Sequence, residues 1–243
     1  QRSEPVFARE SREGRPCFVV TRKKYIGTGF TTATVRGAEI VGVDDLVDRV
    51  STAAQLAALH PGALIYLYVP ELDQVGHRYG VESDEWSSAL EAVDAAVSRL
   101  EQAADARTGI LVTADHGMVD IPAHRQILLS AGDQHLDGVR LIGGEPRMLH
   151  LYAEDGAAQL LAAQWKSDES ARSWVLTRDE AVASGIFGPV HPEVLPRIGD
   201  VVVAARAGIV YYDDRLADKK SQKMVGQHGS LTPVERVVPY LKL

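Results

Sequence analysis

The sequence predicts an α/β fold, a sheet of parallel character with helices on both faces, carrying an inserted smaller α+β lobe. Three observations lead there. Short apolar runs of strand length alternate with helix-length amphipathic segments. The run Ala63 to Val69 lacks the alternation of a half-exposed strand and reads as buried on both faces, as in a parallel sheet. The stretch between His116 and His228 is too long for one crossover connection and carries elements of its own.

Cys17-Phe18-Val19-Val20, entered through Gly14 and Pro16, is a buried strand, and Gly27, Gly29 and Gly37 mark loops after it. From Asp44 to Leu59 apolar residues recur at helical spacing behind two acids that suit a helix amino end, and Pro61-Gly62 stops the helix. Ser83 caps the next helix, where Trp86, Leu90, Val93, Val97, Leu100 and Ala104 form a stripe facing a core. Thr108 to Thr113 is the following strand, so strand, helix and strand succeed one another with polar groups at corresponding strand ends. Met148 to Tyr152 reads as a strand after a Gly143-Gly144 turn, and Asp155 to Trp165 and Thr177 to Ala183 as short helices. Asp200 to Ala205 and Gly208 to Tyr212 form a hairpin in this reading, and Thr232-Pro233-Val234-Glu235 is a capping box opening a last helix. The expected organisation is residues 1–130 in an α/β core, 131–213 as the inserted lobe, and 214–243 returning to the core.

Composition narrows the function. The 243 residues are 45% apolar and 24% charged, ordinary for a globular chain with a large core. Acids outnumber bases 33 to 26, the formal charge is −7, and no basic run exceeds Arg22-Lys23-Lys24, which argues against wrapping by nucleic acid. The lone Cys17 can form neither an internal disulfide nor a thiolate zinc site and reads as a core residue. No apolar stretch approaches the ~18 residues of a membrane span. Cysteine scarcity points to a cytoplasmic rather than secreted protein. Gln1 follows neither a methionine nor a signal-type segment, so the chain is expected to start within a longer polypeptide.

Three pieces carry ligand-type side chains: Asp73-Gln74-Val75-Gly76-His77, Thr113-Ala114-Asp115-His116-Gly117-Met118 and Gly226-Gln227-His228-Gly229-Ser230. The first two follow strand-like runs in what read as loops, and the third sets a histidine between glycines, where the backbone bends freely. Alone, an Asp-x-x-x-His pair arises by chance on surfaces, and Asp115 would serve equally as a helix cap. Together, five such groups suffice for one complete divalent site and half of another, and paired ions are a recurrent device for displacement at phosphorus.

With Tyr68-Val69-Pro70-Glu71-Leu72 leading into the first, these pieces resemble, in order and spacing, the metal motifs of the nucleotide pyrophosphatase/phosphodiesterase branch of the alkaline phosphatase superfamily. The resemblance implies an alkaline-phosphatase-like sheet, with Asp73, His77 and His228 holding one ion and Asp115 and His116 contributing to a second. It implies two divalent ions, zinc first, with manganese or iron compatible with the same donors. It further implies hydrolysis of a small phosphodiester or nucleotide pyrophosphate by a threonine nucleophile. That threonine and the remaining aspartate of the second site have no counterpart here, since Thr28, Thr31, Thr32 and Thr34 lack the upstream aspartate. This chain is therefore expected to be the carboxyl-terminal part of the family's catalytic region and inactive alone. Sulfatases, phosphomonoesterases and phosphonoacetate hydrolases of the superfamily are the competing readings, and a metal-stabilised binding scaffold is the competitor of another class. His60, His124, His135, His150 and His191 are read as surface or strand residues outside the ligand set.

Overall fold

The computed structural model describes residues 3–243. In chain order its first elements are α1 (Val6–Arg12), β1 (Cys17–Thr21), α2 (Gly29–Thr34), β2 (Glu39–Gly42), α3 (Leu46–Leu59), β3 (Leu64–Leu67), α4 (Glu71–Tyr79), α5 (Asp84–Ala103), β4 (Leu111–Thr113) and β5 (Val119–Asp120). There follow β6 (Gln126–Leu129), β7 (Val139–Glu145), β8 (Met148–Ala153), α6 (Ala158–Glu169), β9 (Ser173–Thr177), α7 (Arg178–Ala183), β10 (Val201–Ala205), β11 (Val210–Asp213), β12 (Gly226–Gln227), α8 (Pro233–Arg236) and β13 (Tyr240–Lys242). None of these helices is long and apolar enough to cross a membrane. The chain divides into two compact units, one running through Gln74 with Asp84–Val112 and Tyr240–Leu243, the other comprising Val75–Ser83 and Thr113–Pro239.

In the first unit β1 is the middle strand of a parallel sheet ordered β2-β1-β3. All five of its residues are buried, Cys17 among them, as a central strand of β-branched and aromatic residues should be. The α3 helix, which lies against β1, buries Val50, Ala53 and Ala54 and is capped by Asp45, whose carboxylate accepts from the amides of Val47 (2.8 Å) and Asp48 (3.0 Å). The expected double burial of β3 fails: Tyr66 is exposed, because β3 is an edge strand of this sheet. Nor does β4 join that sheet, pairing instead with β13. On α5 the buried position is Ala96, and Leu90, placed in the core-facing stripe by the spacing, is exposed.

The second unit centres on an antiparallel sheet ordered β7-β8-β10-β9. β10 is buried on both faces: Val201, Val203 and Ala205 join a core with Leu151, Leu161 and Trp165, while Val202 packs with Ala181 of α7 and Ile198. The predicted hairpin is absent, since β10 pairs with β8 and β9, and β11 runs parallel to β6. The Gly143-Gly144 pair lies inside β7, and the turn falls at Pro146-Arg147. Thr177 opens α7 with a complete capping box, accepting from the Glu180 amide while the Glu180 carboxylate takes the Thr177 amide. The predicted box at Thr232 does not form as such. Glu235 turns inward to Arg147, and the Thr232 hydroxyl donates to its carboxylate.

Candidate metal centre

The first ligand piece is helical, where a loop was expected. α4 starts behind Pro70 with Glu71 and Asp73 in its first turn, where acids meet the positive end of the helix dipole. Asp73 and His77 are therefore one turn apart on the same face. Gly80, at φ 90°, ends the helix, and the Asp120 carboxylate on β5 accepts from the amides of Val81 (2.8 Å) and Glu82 (3.2 Å) just beyond.

Strand β12 brings His228 to this helix. It pairs antiparallel with β5, and the Val225 amide donates to the His77 carbonyl at 2.8 Å. Close approach requires glycine: a Cβ on Gly226 would overlap the Gly76 carbonyl oxygen and the Met118 sulfur. In return the Gly226 carbonyl accepts from His77 Nδ1 at 2.8 Å. Because a carbonyl can only accept, the proton sits on Nδ1 and Nε2 keeps its lone pair.

That lone pair faces His228, whose Nε2 lies 3.2 Å from His77 Nε2. Zinc–nitrogen bonds of ~2.0–2.1 Å in a tetrahedron place two nitrogens about 3.3 Å apart, so this pair already has the spacing of one tetrahedral edge. One ligand atom each from Asp73, His77 and His228 lie within 4.8 Å of one another, and all three residues are half-buried. The donor set, two imidazoles and a carboxylate with no thiolate, fits a divalent ion of the zinc class.

The second piece lies alongside. Gly117 donates its amide to the Glu235 carbonyl at 2.8 Å, and a Cβ there would overlap the Val234 carbonyl oxygen. This tight passage sets the preceding His116 ring on the His228 ring, with centroids 3.6 Å apart and planes 15° from parallel. His116 Nδ1 donates to the Gly117 carbonyl at 2.9 Å, which leaves Nε2, 3.7 Å from Asp115 Oδ1, as the ring nitrogen not engaged by that carbonyl. The Asp115 side chain is 78% exposed.

Two residues outside the ligand pieces support the His228 segment. Arg147 and Glu235, each 1% exposed at the side chain, form a buried bidentate pair at 2.6 and 2.8 Å. The same carboxylate takes the Ser230 amide at 2.9 Å, two residues after His228. An arginine in a tight turn carried no sequence signal for this role, and Glu235 was legible only as a capping residue. The early threonines form α2, with Thr28 as N-cap and Thr31 buried. His150 is a satisfied strand residue, as expected, its Nδ1 accepting from the Gly199 amide at 3.1 Å. Burial holds its ring below the ordinary histidine range.

The fold is similar to that of an inactive variant of murine ectonucleotide pyrophosphatase/phosphodiesterase 5 solved with AMP, at TM-score 0.70 and 20% identity over 98% of this chain. It is equally similar, at TM-score 0.70 and 20% identity over 99% of the chain, to phosphonoacetate hydrolase from Sinorhizobium meliloti solved with phosphonoformate. The chain spans 63% of the first of these and 68% of the second. In sequence, 130 residues are 30% identical to GPI ethanolamine phosphate transferase 1 of Aspergillus oryzae, covering 49% of this chain and 12% of that protein. These likenesses establish an alkaline-phosphatase-like α/β fold. The model of the type I phosphodiesterase/nucleotide pyrophosphatase family matches residues 8–231, and the chain belongs to that family.

Proposed function

We propose that the whole protein is a metal-dependent hydrolase of phosphodiesters or nucleotide pyrophosphates. In this reading Asp73, His77 and His228 hold one zinc, and Asp115 and His116 supply part of a second site. The nucleophilic threonine and the remaining ligands are contributed by sequence outside these 243 residues. The observation that carries the proposal is the convergence of His77, His228 and His116 in a member of this family, two of them with Nδ1 tied to a carbonyl.

When bound, the ions neutralise phosphoryl oxygens and lower the pKa of the attacking group. The chain's own residues do the positioning. Carbonyls of Gly226 and Gly117 fix the tautomer and direction of His77 and His116, and the Arg147–Glu235 pair fixes the backbone after His228. The three ligand pieces contain one arginine-bearing extension, Arg78, and its guanidinium lies over the Tyr79 ring at 4.9 Å. A monoester dianion calls for an extra cation clamp. Its absence from these pieces favours a diester, whose second ester group we assign to the 131–213 lobe.

The test is kcat/KM of the whole protein on a nitrophenyl nucleotide diester and on a nitrophenyl monoester. The diester should be preferred by at least an order of magnitude. A clear monoester preference would move the protein to the phosphatase branch, and no turnover on either with metal bound would favour a binding scaffold.

A further inference from the structure

A cavity of about 490 Å³ in the second unit shares no residue with the metal ligands. It is lined by His124 to Ile127, by Arg172, and by Ala207 to Ile209 of the loop between β10 and β11. No acidic residue lines it, which is notable in a chain of net charge −7.

Its arginines are placed rather than dangling. A Cβ on Gly208 would come within 3.0 Å of Arg125 Nη1, so the missing side chain lets that guanidinium lie against the loop backbone. Among the described residues the Arg125 guanidinium makes no hydrogen bond or ion pair. Arg172 is fixed from behind. Its Nε and Nη2 donate to Glu169, both at 2.6 Å, and that carboxylate, on a residue 1% exposed, also accepts from the Tyr211 hydroxyl at 2.5 Å. Tyr211 is held in turn by Ser173 at 2.7 Å. The Arg172 carbonyl accepts from the amides of Arg206 (3.0 Å) and Ala207 (3.1 Å). This network spends both Glu169 oxygens on Nε and Nη2 and leaves Nη1 of this cavity-lining arginine without a protein acceptor among the described residues. Burying a carboxylate so completely is costly unless the geometry it fixes is needed. Here it pre-orients a cation that an incoming oxyanion would otherwise have to order.

We propose that this cavity is an oxyanion site for a phosphate group, with Arg125 as the principal donor, Arg172 as the pre-oriented second donor and His124 at the rim. The site is independent of the metal centre and does not rest on the proposed hydrolase activity.

The test follows arginine Nε–H resonances of the ¹⁵N-labelled protein during titration with inorganic phosphate, AMP, and sodium chloride at matched ionic strength, with Arg125 assigned from Arg125→Lys. Phosphate should move the Arg125 and Arg172 signals saturably and chloride should not. Arg125→Ala should weaken phosphate at least ~10-fold, the scale of a charge-assisted contact, while His228→Ala should leave the affinity unchanged. Tighter binding of AMP identifies a phosphate carried on a nucleotide, and equal or tighter binding of inorganic phosphate identifies the free ion. Three results would overturn the proposal: no saturable shift, an unaltered affinity in Arg125→Ala, or loss of the shift in His228→Ala, which would assign the phosphate response to the metal centre.

Discussion

Glu235→Ala should be among the most damaging single changes in the second unit. The carboxylate receives Arg147 Nε at 2.6 Å, Arg147 Nη2 at 2.8 Å, the Ser230 amide at 2.9 Å and the Thr232 hydroxyl. Its loss leaves a guanidinium 1% exposed whose remaining hydrogen-bond acceptors among the described residues are the carbonyls of Ile209 (2.7 Å), Ala207 (3.1 Å) and Ala205 (3.4 Å). Breaking a buried pair from one side costs ~3–5 kcal/mol. Glu235→Gln, which keeps shape and one acceptor, should cost ~1.5–3 kcal/mol, the scale of hydrogen bonds to a charged group. Replacing both partners by apolar residues, Arg147→Met with Glu235→Leu, should cost less than Glu235→Ala alone. Urea unfolding followed by tryptophan emission reads these differences as shifts in midpoint at constant slope. Acid adds a sign. Burial pushes the Glu235 carboxyl up, but bonds from Arg147, Thr232 and Ser230 outweigh it and hold the group below the usual glutamate range. The pair's contribution is therefore complete above the unfolded value of ~4.3 and lost as pH falls below it. That acid loss should shrink in Glu235→Gln. A cost under ~1 kcal/mol for Glu235→Ala, or an unchanged acid limb in Glu235→Gln, would refute the reasoning.

Gly226→Ala forces a methyl onto the Gly76 carbonyl and the Met118 sulfur, so it should destabilise by ~1–3 kcal/mol and weaken zinc binding, read by urea unfolding and chelator competition. In the first unit Arg49 is fully buried, donating to Glu71 Oε1 at 2.5 Å and to the Asp44 carbonyl at 2.7 Å. Arg49→Leu should therefore cost ~1–3 kcal/mol and loosen the first turn of α4, visible as faster amide exchange at residues 73–75. Asp115→Asn should reduce total metal content while sparing the Asp73, His77 and His228 site, which zinc stoichiometry by mass spectrometry under native conditions distinguishes.

That Asp73, His77 and His228 come within 4.8 Å of one another was legible in part, because ligand-type residues at short local spacings can be recognised without tertiary context. Asp73 and His77 were found by type, yet their setting was misread: Pro70-Glu71 opens a helix, and an i, i+4 pair on a short polar helix looks like a loop without its packing partner. The strand β1 is legible because Phe18, Val19 and Val20 form an unbroken run of β-branched and aromatic residues, whereas the burial of β3 is not, because pairing partners decide which strand becomes an edge. The missed hairpin has the same origin. Val201–Ala205 and Val210–Asp213 are adjacent in sequence but find partners in β8, β9 and β6, which no local pattern encodes. Arg147 was invisible for a related reason, since its meaning depends on Glu235, 88 positions away.

The most direct test of the metal centre is zinc K-edge absorption of the protein loaded with one equivalent of zinc, compared with His77→Ala and His228→Ala. A first shell with two imidazoles at ~2.0–2.1 Å is expected for the parent, with one imidazole fewer in each variant and affinity reduced beyond the ~10–100-fold typical of losing a supporting partner. An unchanged first shell and affinity in His228→Ala would contradict the assignment.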